Sequence, residues 1–173
     1  MPQGYVHDET RTLLGRGDDA WRAAKAALQQ WAMFPENWTR VHLRPSPVEG
    51  APVMVSFRLL GLWWAAPARI VYTLDEPDRF GFAYGTLPGH LAHGEELFSV
   101  ERGAQGEISY VLRAFSRPSF WGAKLLPAFM RAQQRRFQRE SAAAMQRWVA
   151  EWTAATPQQP RRQSAAPAHS PAA

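Results

Sequence analysis

The sequence of 173 residues contains no cysteine, which excludes disulfides, thiolate metal sites and a cysteine nucleophile. It also lacks a long apolar run, because the longest one, residues 59–66, is far shorter than the roughly 20 residues of a membrane-spanning helix. The first ten residues are polar and do not contain the apolar segment of a signal peptide. We therefore predict a cytoplasmic protein. No motif in the sequence indicates a cofactor.

Large apolar side chains are absent from the last twenty residues, 154–173, which consist almost wholly of Ala, Pro, Gln, Ser, Thr and Arg. Such a segment cannot bury enough surface to offset the entropy of ordering, so we predict a disordered tail after a single domain of residues 1–153. The net charge of +5 comes from the C-terminal region, since residues 1–119 are close to neutral. This basic region is too sparse for a nucleic-acid interface, and we predict no nucleic-acid partner.

The spacing of apolar residues predicts one helix, a series of strands and a second, longer helix. The first helix covers about residues 19–33, with Asp18 as its N-cap. The strands are short, alternating and separated by turn residues, a pattern typical of an antiparallel sheet. They cover residues 11–14, 38–43, 53–60, 68–74, 79–86, 95–101 and 108–116. The long helix covers residues 127–153, and Gln133 and Ser141 interrupt its apolar stripe.

Residues 79–86 form the most informative strand, because bulky and small side chains alternate along it. Phe80, Phe82 and Tyr84 fall on one face, and the glycines and alanine between them fall on the other. Glycine weakens a strand, so its repetition indicates that another group approaches the small-residue face closely. We expect that face to leave room either for a ligand or for the long helix.

The order of strand, helix, several strands and long helix predicts an α+β fold. We expect an antiparallel sheet of about six to seven strands that wraps around the long C-terminal helix. This arrangement resembles the helix-grip fold of the START and polyketide-cyclase-like (SRPBCC) superfamily, whose sheet and last helix enclose a cavity. Proteins of that superfamily commonly bind apolar or amphipathic small molecules, and the resemblance implies such a partner here.

Several sequence blocks resemble those of an uncharacterised domain-of-unknown-function family found in bacteria and plants. The blocks are Gly61-Leu-Trp-Trp64, Arg69-Ile-Val-Tyr72, Phe80-Gly-Phe-Ala-Tyr-Gly-Thr-Leu-Pro-Gly-His90, Gly94-Glu-Glu96 and Phe115-Ser-Arg-Pro118. With shorter matches in the last helix, the resemblance covers about residues 5–150. Since this family has no agreed activity, the resemblance supports the fold and singles out residues without implying a reaction.

The leading hypothesis is binding of a small apolar or amphipathic ligand in a cavity between the sheet and the C-terminal helix. Such a pocket combines apolar walls with a few convergent polar groups. The predicted ligand-binding residues are Trp63, Trp64, Phe80, Phe82, Tyr84 and Arg117, and His90 and Glu95 supply further polar groups.

Two alternatives stay open beside this hypothesis. In the first, the protein is an enzyme of cyclase, hydratase or hydrolase type, with His90 and either Glu95 or Glu96 as its acid–base pair. In the second, Trp63 and Trp64, with the arginine-rich face of the long helix, dock a protein partner. A contact with a membrane surface belongs to this second alternative, and the sequence does not favour it.

Two further patterns are better explained by local structure than by a ligand. Residues 15–20 fit a dinucleotide-binding fingerprint, but Asp18 and Asp19 would stand where the pyrophosphate binds. Residues 90–95, His-Leu-Ala-His-Gly-Glu, include residue types that bind metals, but their spacing matches no established loop. We therefore predict neither a dinucleotide nor a metal.

Overall fold

Strands account for about half of the residues that the structure describes. The structure, a computed structural model, describes residues 6–44, 46–90, 92–118 and 127–155, and for residues 6, 117, 118, 127 and 130 it describes the backbone alone. Within these ranges the elements are β1 Val6–Arg16, α1 Gly17–Gln29, β2 Thr39–Leu43, β3 Pro52–Leu59, β4 Leu62–Asp75, β5 Arg79–Thr86, β6 Ala92–Arg102, β7 Glu107–Pro118 and α2 Pro127–Ala155. None of the helices in the described ranges is both long and apolar enough to cross a membrane.

All seven strands join one antiparallel sheet in the order β1-β7-β6-β5-β4-β3-β2. Consecutive strands from β2 to β7 are neighbours, and β1 completes the sheet by pairing with β7 at the opposite edge from β2. The sheet with its C-terminal helix confirms the predicted α+β, helix-grip architecture. The register also fixes which side chains share a face, and this decides where a site can form.

The core lies between the two helices and one face of the sheet, which we call the inner face. Phe82 of β5 and Phe98 of β6 are fully buried there, with ring centroids 5.8 Å apart. Leu28 of α1 and Met145 of α2 cover them from the helical side and are also fully buried. The bulky face of β5 therefore faces the helices, and the expectation that its small-residue face would receive the helix or a ligand was wrong.

Gly81, on the other side of the sheet (the outer face), and Gly94, on the inner face, are both needed because neighbouring strands approach them closely. A Cβ atom on Gly81 would overlap the backbone of Phe98 and Ser99 on β6, and one on Gly94 would overlap the carbonyl oxygen of Phe115 on β7. The close approach that the sequence indicated is therefore made by neighbouring strands. It is a requirement of the sheet itself.

Both helices differ in detail from the predicted ones. The residue at the N-cap of α1 is Arg16, without a side-chain hydrogen bond, so the expectation of Asp18 as N-cap was wrong; Asp18 instead lies in the first turn, where its charge favours the helix dipole. In α2 the side chains buried against the sheet include Ser141, which the sequence marked only as an interruption. Its hydroxyl is 2.8 Å from the hydroxyl of Tyr110 on β7. Residues 156–173, most of the predicted tail, lie outside the described ranges.

Candidate binding cavity

A cavity of about 200 Å³ lies between the inner face of the sheet and the first half of α2. Its apolar wall includes Phe34 and Trp38, from the segment between α1 and β2, Phe57 of β3 and Phe137 of α2. Phe137 also touches the aromatic core, because its ring lies 6.4 Å from that of Phe98. The core and the cavity are thus one continuous aromatic layer, which the helices leave unfilled at this end of the sheet.

Glu96 of β6 brings a carboxyl group into this apolar wall. Its register partner on β5 is Tyr84, whose hydroxyl donates a hydrogen bond to Glu96 Oε2 at 2.7 Å. Burial raises the pKa of Glu96 to about 7, although the hydrogen bond from Tyr84 acts to lower it. Burial and the adjacent Glu96 also raise the pKa of the Tyr84 hydroxyl well above its ordinary value. Among the described residues, no lysine or arginine forms an ion pair with Glu96.

Glu95 is the neighbour of Glu96 and has a different role. It lines the cavity at its strand position, but its carboxylate lies close to the hydroxyl of Tyr72 on β4. Tyr72 is in register with Ala83, and both belong to the outer face. Burial raises the pKa of Tyr72, and the charge of Glu95 raises it further. The structure therefore directs the Glu95 carboxylate away from the position that Glu96 occupies.

His90 lies in the turn between β5 and β6, at the rim of the cavity. Its ring Nδ1 accepts a hydrogen bond from the backbone N–H of Ala92 at 3.0 Å, and the backbone N–H of His90 donates to the carbonyl oxygen of Leu87. Burial lowers the pKa of the imidazole, so the neutral ring is favoured near pH 7. Because Nδ1 is an acceptor here, the proton of the neutral ring is on Nε2.

The first turns of α2 complete the polar part of the wall. Gln133 Oε1 is buried, lines the cavity and has no hydrogen-bond partner among the described residues. The next residue, Gln134, donates from Nε2 to the hydroxyl of Ser116 at 2.9 Å, and this bond ties α2 to β7. Arg131 Nη1 bonds Asp8 Oδ2 of β1 at 2.9 Å, so the Asp8 carboxylate in the wall is already paired. Sequence reasoning missed Gln133 as a site residue, although its position as a polar break in the apolar stripe was a signal.

The structure brings only some of the predicted ligand-binding residues to this cavity. Tyr84 lines it, as do both predicted catalytic residues, His90 and Glu95. Phe82 is fully buried in the aromatic core, and Phe80 lies beneath the ammonium of Lys25 at 4.3 Å; neither is part of the wall.

The two tryptophans of the β3–β4 hairpin also lie outside the cavity wall. Trp63 is on the outer face beneath the guanidinium of Arg40, which is 4.5 Å from the ring. Trp64 is half-buried, and its Nε1–H donates to the carbonyl oxygen of Leu59 at 3.2 Å. The side chain of Arg117, the last predicted ligand-binding residue, lies outside the described part of the structure. Within that described part, no three His, Asp or Glu residues are grouped to hold a metal ion.

Comparison with protein families gives a match over most of the chain. Residues 1–144 match the family model described as "Domain of unknown function (DUF1990)". A UPF0548 protein of Deinococcus radiodurans is 38% identical over 148 residues, which cover 79% of this chain and 75% of that protein. A UPF0548 protein of Arabidopsis thaliana is 33% identical over 154 residues, which cover 84% of this chain and 74% of that protein. The predicted resemblance to a family of bacteria and plants is confirmed.

Solved structures with the same fold have much lower sequence identity. The crystal structure of Ara h 8.0201 superimposes with a TM-score of 0.59 at 13% identity, over 86% of this chain and 99% of that one. Norcoclaurine synthase from Thalictrum flavum, solved in complex with dopamine and hydroxybenzaldehyde, gives a TM-score of 0.55 at 12% identity, over 85% of this chain and 86% of that one. At such identities the likeness shows the fold alone, and it agrees with the helix-grip architecture described above.

Proposed function

We propose that this chain, which belongs to the DUF1990 family of domains of unknown function, binds a small, largely apolar molecule in the cavity between its sheet and α2. The main support for the proposal is Glu96, a carboxyl group in an aromatic wall, whose one hydrogen-bond partner among the residues that the structure describes is Tyr84. A carboxylate accepts several hydrogen bonds, and apolar surroundings make its charged form costly when it has few donors. A ligand that donates to Glu96 would lower that cost.

The volume of the cavity sets the size of the ligand. An apolar cavity of about 150 Å³ accepts a benzene molecule. At about 200 Å³, this cavity has room for one aromatic ring with a short chain, and a long acyl chain would exceed it. The aromatic side chains Phe34, Trp38 and Phe137 in the wall favour a flat, apolar ligand body.

The charges of the wall favour a ligand with a protonated amine. Of the three acidic residues in the described lining, Asp8 is paired with Arg131 and Glu95 is directed to Tyr72, so Glu96 is the acidic group that a ligand would meet; the described lining contains no lysine or arginine. Gln133 Oε1 adds a buried acceptor that has no donor among the described residues. An ammonium group has three donors and a positive charge, so it can satisfy both acceptors, whereas a ligand carboxylate would face like charge. Norcoclaurine synthase, which shares the fold, holds dopamine in its crystal structure and is a precedent for amine binding on this scaffold.

Acid–base catalysis in the same cavity is the second candidate function, and the pKa of Glu96 favours it. A general base works best when its pKa lies near the operating pH, and burial raises the pKa of Glu96 to about 7. Tyr84 would hold the carboxyl group in place through its hydrogen bond. His90 lines the same cavity at its rim and supplies a neutral imidazole. Substrate binding comes first in either case, so the binding test below serves both candidates.

Three small probes of equal shape test the proposal: 2-phenylethylamine, 2-phenylethanol and phenylacetate. Each has nine or ten non-hydrogen atoms, so at about 0.5 kcal/mol per atom we expect a dissociation constant of about 0.5 mM for the amine. Isothermal titration should rank the amine first and phenylacetate last. The preference for the amine over the alcohol should grow between pH 6 and pH 8, because Glu96 ionises in that interval.

Substitutions at adjacent positions provide the matched comparison. Glu96→Gln keeps the shape but removes the charge, and it should abolish the preference for the amine. Glu95→Gln makes the same change one residue away, where the side chain turns to Tyr72, and should leave the ranking unaltered. Tight binding of phenylacetate, or an amine preference that survives in Glu96→Gln, would contradict the proposed ligand class. If none of the three probes binds, the cavity proposal fails as a whole.

A further inference from the structure

The β3–β4 hairpin ends in an exposed apolar tip, which lies outside the cavity. Leu60 and Leu62 are 76% and 63% exposed, and Trp63 is 43% exposed. Leu59 and Leu62 are the last pair in register, so Leu60 and Gly61 alone form the turn. We call Leu60, Leu62 and Trp63 the hairpin tip. Three large apolar side chains at one end of a hairpin contribute little to the core, and an exposed apolar patch of this kind marks an interaction site.

The backbone of the turn is unfavourable for leucine. Leu60 has φ +51° and Gly61 has φ +82°, which are values of a type I′ turn. Asparagine or glycine is the usual first residue of this turn, because a leucine in the left-handed region is strained. The sequence therefore retains a leucine where folding alone favours a polar residue. Backbone strain combined with apolar exposure points to a role outside the fold.

Basic side chains surround this apolar group. Arg58 is the register partner of Trp63, and the Arg40 guanidinium lies 4.5 Å from its ring. In the described ranges neither arginine forms an ion pair. Four other arginines of the sheet do pair, namely Arg11 with Glu101, Arg79 with Glu76, Arg102 with Asp18 and Arg113 with Glu9, whereas Arg16 and Arg69 form no ion pair in these ranges. The hairpin tip is thus flanked by two arginines, Arg40 and Arg58, that form no ion pair with any described residue.

We propose that the hairpin tip docks on the surface of an anionic lipid bilayer. Leu60 and Leu62 would enter the acyl boundary, and Trp63 would lie at the headgroup level, where tryptophan is enriched. Arg40 and Arg58 would contact lipid phosphates, and each basic residue near an anionic leaflet strengthens binding. Leu59, which precedes the turn, also lines the cavity. Docking would therefore bring one end of the cavity wall to the membrane surface.

Absence of cysteine from the chain allows a site-specific probe of this contact. Leu60→Cys would carry a polarity-sensitive fluorophore, and Leu13→Cys, exposed on the opposite edge strand β1, is the matched control. Both are titrated with phosphatidylcholine vesicles, with and without about one third phosphatidylserine. We expect a blue shift at position 60 on the anionic vesicles alone, and no shift at position 13. No shift at position 60, or an equal shift at both positions, overturns the proposal.

Flotation of unlabelled protein with the anionic vesicles measures the contribution of each group. Leu60→Asn should weaken binding about tenfold or more, from the lost burial of one leucine. It should also raise the thermal midpoint, because asparagine suits the turn, and this shows that the variant is folded. Arg40→Gln and Arg58→Gln should each weaken binding about fivefold. Arg135→Gln, on the exposed face of α2, should leave binding unchanged.

The hairpin tip is refuted as the contact if the wild-type protein does not float with the vesicles. It is also refuted if neither Leu60→Asn nor Trp63→Ala weakens binding. A third refuting outcome is that binding is lost in Arg135→Gln but kept in the hairpin variants. The last would place the contact on α2. Probe binding in the cavity is measured without vesicles, so this proposal and the binding function can fail independently.

Discussion

Glu96 should make the stability of the folded protein fall as the pH rises from 4.5 to 7. Its ordinary pKa is 4.5, and burial raises it to about 7 in the folded protein. Between these values the folded form holds a proton that the unfolded chain releases. The contribution of Glu96 to folding stability therefore decreases with pH across this window, levels off above pH 7, and is largest below pH 4.5. Most carboxyl groups that are paired in a folded protein have the opposite effect.

The size of the effect follows from the pKa difference. A shift from 4.5 to about 7 corresponds to about 3 kcal/mol, since one pKa unit is about 1.4 kcal/mol. This is an upper value, because solvent that reaches the cavity would weaken the shift. Glu96→Gln removes the titration and keeps an acceptor for the Tyr84 hydroxyl. We expect the variant to be more stable than the wild type by about 2–3 kcal/mol at pH 8, and nearly equal to it at pH 4.

Urea unfolding at a series of pH values measures this difference. Other titrating groups, including His90 and Glu140, contribute to both proteins and cancel when the two free energies of unfolding are subtracted. Glu95→Gln is the control, and its profile should run parallel to that of the wild type. Parallel profiles for Glu96→Gln and the wild type between pH 4 and pH 8 would refute the reasoning. Glu96 would then be solvated in the folded protein, and its raised pKa would be lost as support for either proposed function.

Three further predictions concern packing and polar groups. Gly94→Ala should destabilise the fold by about 3 kcal/mol in urea unfolding, because its Cβ would overlap the Phe115 carbonyl oxygen, whereas Gly85→Ala should cost about 1 kcal/mol or less. Ser141→Ala should cost about 1–3 kcal/mol, since it leaves the buried Tyr110 hydroxyl unpaired. Gln133→Leu should raise stability by about 1 kcal/mol and weaken binding of 2-phenylethylamine. An equal cost of the two glycine substitutions, or no cost at Ser141, would contradict the contacts described, and a Gln133→Leu variant that binds the amine normally would remove Gln133 from the site.

The strand pattern of the sequence predicted most of the fold. Strand β5 has the predicted bounds, Arg79–Thr86, because its alternation and flanking turn residues are clear. Strand β4 begins at Leu62, six residues earlier than predicted, because the run Trp-Trp-Ala-Ala-Pro does not alternate in polarity and contains a proline. At Pro67 the register shows pairing with β3 alone, and a missing N–H is tolerated on such a one-sided stretch.

The site was harder to predict than the fold, for a physical reason. The alternation of side chains along a strand shows which residues share a face, but it does not show which face packs against the helices. Tyr84 and Glu96 are register partners on the inner face, whereas Glu95 turns to Tyr72 on the outer one. A one-residue difference therefore separates a cavity carboxyl from a surface one. Pairing across strands, which brings Tyr84 to Glu96, depends on a register that local sequence does not contain.

The polar groups of the interior differ in how well they are satisfied, and this difference supports a ligand site. Elsewhere in the core, the Thr39 hydroxyl donates to the Pro35 carbonyl oxygen at 2.7 Å, and Tyr110 and Ser141 pair with each other. In the cavity wall, Glu96 has one partner, and Gln133 Oε1 has none among the described residues. Such groups reduce the stability of the empty protein, and replacing them with apolar residues would be expected to stabilise it. Trp148 Nε1 is a buried donor without a partner that lies outside this wall. The two acceptors of the cavity wall lie together, however, so a single donor-bearing ligand could satisfy both.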